Sequence, residues 1–180
     1  MQELDEVIRN RRSIRRFEKR EVEAEKLEAI LEAARWAPSW GNSQCWQVIV
    51  VQDREQKEKL AETLTIKNPA SLSVVDAPVV LALCGESKKS GYYNGKQVTR
   101  YQDWLLYDLG LATQNICLTA HNLGLGSVIV GSFNHEMVEK ALRIPNGYEI
   151  VSLLPLGYPA HSPAAPKRKE TKTFIHYGHF

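Results

Sequence analysis

Leu105, Leu109, Ala112, Ile116, Ala120 and Leu123 recur at intervals of three and four residues. That spacing puts them on one face of a helix and predicts about five turns of it. Gly124 and Gly126 follow at once and mark the end. A helix with so long an apolar face has to be covered by another layer. Four runs rich in β-branched and apolar residues can supply it: residues 46–51 (WQVIVV), 77–84 (APVVLALC), 127–130 (SVIV) and 149–157 (EIVSLLPLG). The second is apolar throughout, as a strand covered on both faces would be.

Further helices are predicted over residues 2–11, 24–36, 54–64 and 136–142. Asn134 can cap the last of these, and Pro38 and Gly41 break the second. Residues 65–75 have no clear period, and the polar stretch 86–96, with Gly91 and Gly95, reads as a loop. Helices and strands mix around a long buried helix, so the fold class is α+β or α/β.

The chain has 180 residues, which predicts one domain spanning residues 1–180. Its 23 Lys and Arg stand against 21 Asp and Glu. A net charge of +2 is too mild to argue for a nucleic acid or a membrane as partner. No apolar stretch approaches the roughly 20 residues of a membrane span, and the charged N-terminus lacks the apolar core of a secretory signal. Cys45, Cys84 and Cys117 are an odd number at wide spacing, so neither a disulfide framework nor a structural zinc site is expected. A reduced, cytoplasmic protein is the expectation.

Three stretches can carry chemistry. Arg11, Arg12, Ser13, Ile14 and Arg15 follow the first helix. In extended chain Arg11, Ser13 and Arg15 project to one side. Guanidiniums and a hydroxyl so placed can grip a phosphate, whereas the plainer reading is a solvated basic turn. Residues 37–46 (APSWGNSQCW) are dense in amides and hydroxyls and suit the edge of a heteroaromatic ring, or a capped turn with aromatic packing. Gly131, just after the third strand, permits close approach of a flat ligand to backbone. Gly124 and Gly126 do not form a dinucleotide fingerprint, because the strand follows them instead of preceding them. Of five histidines only His176 and His179 are close together, so no metal site is expected. Asp103 and Asp108 are expected on the long helix, with no partner that sequence identifies. No hydrolase motif or P-loop is present.

Four blocks in order resemble the FMN-dependent nitroreductase family: RRSIRRF (11–17), APSWGNSQCW (37–46), DLGLATQNICLTAHNLGLGSVIVGSF (108–133) and IPNGYEIVSLLPLGYP (144–159). PKRKE (166–170) is a fifth, weaker match. The resemblance implies a nitroreductase-like α+β (α/β three-layer) fold. A central mixed sheet would be flanked by helices around the long buried one, in an interlocked homodimer with FMN at the subunit interface. Arg11 and Ser13 would hold the FMN phosphate and ribityl chain, with Arg12 assisting partly by backbone and Arg15 at the N1/O2 edge of the ring. Pro38, Ser39, Trp40 and Asn42 match the segment contributed by the other subunit. Val130 and Gly131 match the backbone beside flavin N5. Lys167 and Arg168 match a C-terminal basic element that closes on the phosphate. Cys45 stands where the family often has proline, Trp40 is bulkier than usual, and Asn68, Ser71 and Ser73 are nearest to the family's polar residues before the second strand.

The implied activity is an NAD(P)H oxidoreductase reducing nitroaromatics, quinones or related flat acceptors. NADH or NADPH and then the acceptor would use the same flavin face, giving ping-pong kinetics and requiring no side-chain nucleophile. A non-catalytic FMN-binding or storage protein, and a dehalogenase-type member of the family, are the alternatives.

Overall fold

The computed structural model describes residues 3–180. Helices α1 (Leu4–Asn10) and α2 (Ala24–Arg35) precede a one-turn 3₁₀ helix (Trp40–Asn42). Then come β1 (Trp46–Val51), α3 (Arg54–Glu62), α4 (Ser71–Asp76), β2 (Val79–Glu86), β3 (Tyr92–Tyr93), β4 (Lys96–Gln97) and α5 (Leu105–Asn122). The chain continues through β5 (Gly126–Ser127), α6 (His135–Leu142) and β6 (Tyr148–Gly157) to a tail with a second 3₁₀ turn (Thr171–Thr173). The first expected helix began at residue 2, which lies outside the described residues; the helix runs from Leu4.

One sheet, ordered β1-β2-β6-β5, forms the centre. Its three ladders are antiparallel. Its mixed character rests on one parallel bridge, Ser13 to Ser127, at the β5 edge. The second strand is buried along nearly its whole length, and its residues alternate between two cores. Val79, Leu81 and Leu83 face α2 and α5; Val80, Ala82 and Cys84 face the side of α3, α4 and α6. This is the two-residue period of a strand covered on both faces. A bulge where β6 passes Leu83 and Cys84 returns Ile150 to the second core.

Helix α5 carries the apolar stripe along the first core, with Leu105, Leu109, Ala112, Ile116 and Ala120 buried. It approaches so closely that a Cβ on Gly85 would fall inside the Leu105 side chain. Helices α3 and α6 are capped by Asp53 and Asn134, whose carboxylate and amide oxygens accept from Gln56 N and Met137 N.

Three expectations differ from the structure. The third strand, expected over residues 127–130, pairs only at Gly126 and Ser127 and rejoins β6 at Val130. Pro155 lies opposite Val128 and has no N–H to return, so the ladder lapses there. Residues 65–75, without visible period, contain the start of the short helix α4. The loop expected over residues 86–96 instead completes β2 and turns a small hairpin through Asn94 and Gly95, both with positive φ.

Among the described residues no helix is long and apolar enough to cross a membrane. No group of three His, Cys, Asp or Glu side chains among them is placed to hold a metal ion. All three cysteines are free and buried.

Candidate functional site

Residues 11–17 are pinned by their backbone, and Arg12 is tied as well, its Nη1 donating to Arg9 O at 2.5 Å and Arg11 O at 2.9 Å. Ile14 N donates to Ser127 O at 2.9 Å, Glu18 N to Tyr158 O at 2.9 Å, and Ala160 N to Arg16 O at 3.0 Å. Ser73 in α4 is fully buried and donates from Oγ to Arg15 O at 3.0 Å. Ile14 is buried against Gly126, where a Cβ would come within 2.5 Å of it.

The extended backbone so fixed presents Arg11, Ser13 and Arg15 to one cavity of about 290 Å³, together with Arg12 and, from the tail, Arg168. Lys167 does not line it. Among the described residues no carboxylate pairs with Arg11, Arg15 or Arg168, and none lines the cavity. Four guanidiniums and a hydroxyl with spare donors suit a phosphate dianion.

Behind Arg11 and Arg12 lies a smaller chamber of about 110 Å³, walled by Ile14, Cys117, His121, Ser127 and His161. His121 Nε2 and His161 Nδ1 are buried there without a hydrogen-bond partner. Burial, and then the positive charges of Arg11 and Arg12, push the His121 pKa down. Burial pushes the Cys117 thiol up.

Residues 38–45 are organised by Asp108, whose side chain is fully buried in the first turn of α5. Its Oδ1 accepts from Trp40 N at 3.0 Å. Its Oδ2 accepts from Ser43 Oγ at 3.1 Å, from Ser90 Oγ at 2.6 Å, and from Cys45 Sγ at 3.6 Å. Burial, and then the Asp108 charge, push the Cys45 thiol up to about 11. The turn itself is left-handed at Gly41, Asn42 and Gln44. Ser39 Oγ accepts from Gln44 N at 3.0 Å, and Pro38 and Asn42 stay exposed.

At the sheet edge Val130 N donates to Leu153 O at 2.9 Å. Gly131 is exposed, and a Cβ there would meet nothing within 4 Å. The next carbonyl, Ser132 O, accepts from Asn68 Nδ2 at 3.1 Å. Asn68 precedes α4, and Ser73 within α4 holds Arg15. The roughly 9 Å of that six-residue helix therefore ties Gly131 to the arginine segment.

The structure thus gathers Arg11, Arg12, Ser13, Arg15 and Arg168 in one place and links Val130 and Gly131 to them. It does not bring Pro38, Ser39, Trp40 and Asn42 there. The chamber beside Arg11 is walled by His121, near the end of α5, while the 38–42 turn hangs on Asp108 at its start. Thirteen helical residues separate them, about 20 Å. Sequence reasoning missed Asp108 as an organiser. The signal was a carboxylate inside the apolar stripe, between Leu105 and Ala112.

The profile of the Nitroreductase family matches residues 8–73 and 65–158. A protein of Archaeoglobus fulgidus with the provisional name NADH dehydrogenase/NAD(P)H nitroreductase is 39% identical over 163 residues, covering 88% of this chain and 87% of the relative. The FMN reductase [NAD(P)H] of Bacillus subtilis is 30% identical over 187 residues, covering 98% and 74%. The fold superposes on the NADPH:FMN oxidoreductase of Vibrio harveyi, solved with NAD+, with a TM-score of 0.85 at 25% identity, covering 98% and 77%. With the seated arginine segment, the antiparallel sheet and the long buried helix all inside the matched region, this chain belongs to the nitroreductase family.

Proposed function

We propose that the chain is an FMN-dependent NAD(P)H oxidoreductase acting on nitroaromatics, quinones or related flat acceptors, built as one domain and working as a homodimer. The observation that carries this reading is the cavity of four arginines and Ser13, none of them paired with a carboxylate. Its donor set fits the phosphate of FMN. Bound there, FMN would supply two-electron chemistry, accepting reducing equivalents from NADH or NADPH and passing them to the acceptor.

The chain's own residues bind and orient. Arg11, Ser13 and Arg168 take the phosphate, with Arg12 beside them and Lys167 adding charge from the tail. Arg15 reaches the ring edge, where a guanidinium stabilises negative charge as it develops. The backbone at Gly131 offers a flat wall free of side chain, held in place by the Val130 N–H and C=O, which both pair with Leu153. No side-chain acid or nucleophile is required of the protein.

Pro38, Ser39, Trp40 and Asn42 complete the pocket of a second copy, because about 20 Å of helix α5 holds them away from the arginines of their own chain. An interface that shares its sites in this way is extensive, more than ~2,000 Å². Sedimentation as a monomer with full flavin occupancy would overturn the homodimer.

The deciding measurement is a visible spectrum of the purified protein before and after anaerobic NADH and NADPH. A yellow protein bleached by one of them is expected. A colourless protein that does not take up added FMN would overturn the reading, and bound FMN that neither nucleotide reduces would reassign the chain as a storage protein.

A further inference from the structure

Asp108 holds two separate segments by one carboxylate. Residues 40–43 hang on it through Trp40 N and Ser43 Oγ. The β3–β4 hairpin hangs on it through the fully buried Ser90, whose carbonyl accepts from Trp104 N at 3.2 Å and so closes the hairpin's feet. A second clasp sits alongside, where Asp103 accepts from Lys88 N at 2.8 Å and Leu105 N at 3.0 Å. Between these feet the hairpin exposes Tyr93, Val98 and Tyr101.

Ser43, from the turn, and Ser90, from the hairpin, donate to the same oxygen, Oδ2. Displacing the hairpin foot therefore changes the acceptor that the turn depends on. The site is buried, so water does not readily replace a lost donor. The carboxylate needs no cation here, because the start of α5 presents partial positive charge and four donors converge on it.

We propose that Asp108 is a positioning residue that couples the hairpin to the 40–43 turn, so that the hairpin's position sets how tightly the turn holds flavin. This rests on the reading above that the turn contacts FMN. The coupling is reciprocal: flavin held by the turn steadies the hairpin, and a ligand that displaces the hairpin loosens the flavin.

The test is fluorescence titration of the full-length protein with FMN, and the rate of FMN release, for wild type, Ser43→Ala, Ser90→Ala, the double variant and Thr99→Ala. Ser90 lies outside the arginine cavity, yet Ser90→Ala should weaken FMN about fivefold or more. The double variant should lose less than the product of the two single losses. Thr99→Ala breaks a bond to Tyr101 O within the hairpin segment without removing a donor from Asp108, and should leave FMN affinity unchanged. Bound FMN should also slow tryptic cleavage after Lys96 and Arg100 in wild type and not in Ser90→Ala. Where Ser90→Ala does not fold, Ser90→Cys takes its place, since a thiol donates only weakly to Oδ2 and leaves the turn's own bonds intact, and a weakened FMN site is again expected. Wild type that takes up FMN, with Ser90→Ala (or Ser90→Cys in its place) binding and releasing it unchanged or the two serine losses multiplying fully, overturns the coupling alone. Wild type that takes up no FMN overturns the flavin reading and the coupling with it.

Discussion

The two ends of helix α5 use polar groups in opposite ways. Near its end, the guanidiniums of Arg11, Arg15 and Arg168 and two imidazole nitrogens, on His121 and His161, point into cavities with no protein acceptor or donor to meet them. At its start, Asp108 has taken up four donors, and the buried donor left unmet beside it is the indole Nε1 of Trp104, which caps the helix. Spare hydrogen-bonding capacity marks groups kept for a ligand, whereas saturated capacity marks groups kept for the fold. Truncating a guanidinium at the cationic end should therefore weaken binding with little loss of stability, whereas changes at Asp108 should lower stability and binding together.

The largest effect falls on the saturated end. Asp108→Ala would strand Trp40 N–H and the hydroxyls of Ser43 and Ser90 in a buried site. At ~1–3 kcal/mol for each unsatisfied group, with some relief from hydroxyl rotation, the expected loss is about 3–5 kcal/mol. For a chain of this size the thermal midpoint should fall by about 10 °C. A midpoint within ~2 °C of wild type would mean that the carboxylate is not the organiser its geometry describes.

Arg11→Ala tests the other end. Its guanidinium has no protein partner to abandon, so the thermal midpoint of the flavin-free protein should hardly move. FMN affinity should fall about 10- to 100-fold, the range for one charge-assisted hydrogen bond. Riboflavin, which lacks the phosphate, should bind wild type and variant alike. Equal losses for FMN and riboflavin would move Arg11 away from the phosphate.

Two glycines sharpen the contrast. An added Cβ at Gly126 would lie 2.5 Å from Ile14 Cγ1 and 2.7 Å from Ile14 Cβ. Gly126→Ala should therefore destabilise by about 1–3 kcal/mol, and weaken FMN as well by shifting the segment that carries the arginines. Gly131→Ala meets open space in the chain itself and should leave stability within about 0.5 kcal/mol. A loss of FMN affinity in Gly131→Ala at unchanged stability would then be a direct steric report of the flavin face, read by titration and thermal denaturation together.

The same division governs what the sequence revealed. The stripe from Leu105 to Leu123 was legible because burial repeats over five turns, and β2 because residues 79–84 are all apolar. The arginine cluster was legible because its guanidiniums stand close together in the chain. Helix α4 was not, because six residues with Leu72 exposed give no period to read. The hairpin carried its own signal in Asn94-Gly95 between Tyr93 and Lys96, overlooked within a polar stretch. Asp108 was hidden for a different reason: its partners Trp40, Ser43 and Ser90 lie far from it in sequence, and only the folded chain brings them to one carboxylate.

The smallest effect links the two cavities at the cationic end. His121 titrates below its ordinary range because of burial and the repulsion of Arg11 and Arg12. The unfolded chain, with an ordinary histidine near 6.5, therefore binds more protons than the folded one as pH falls below about 6.5. Stability should rise as pH increases from the lowered value towards about 6.5, and His121→Gln should flatten that slope. A phosphate held by Arg11 and Arg12 would offset their charge. Bound FMN should then move the His121 titration upward, read from its imidazole proton resonances and assigned by their absence in His121→Gln. Riboflavin should not move it. A shift with riboflavin equal to that with FMN would place the flavin ring, and not its phosphate, beside the two arginines.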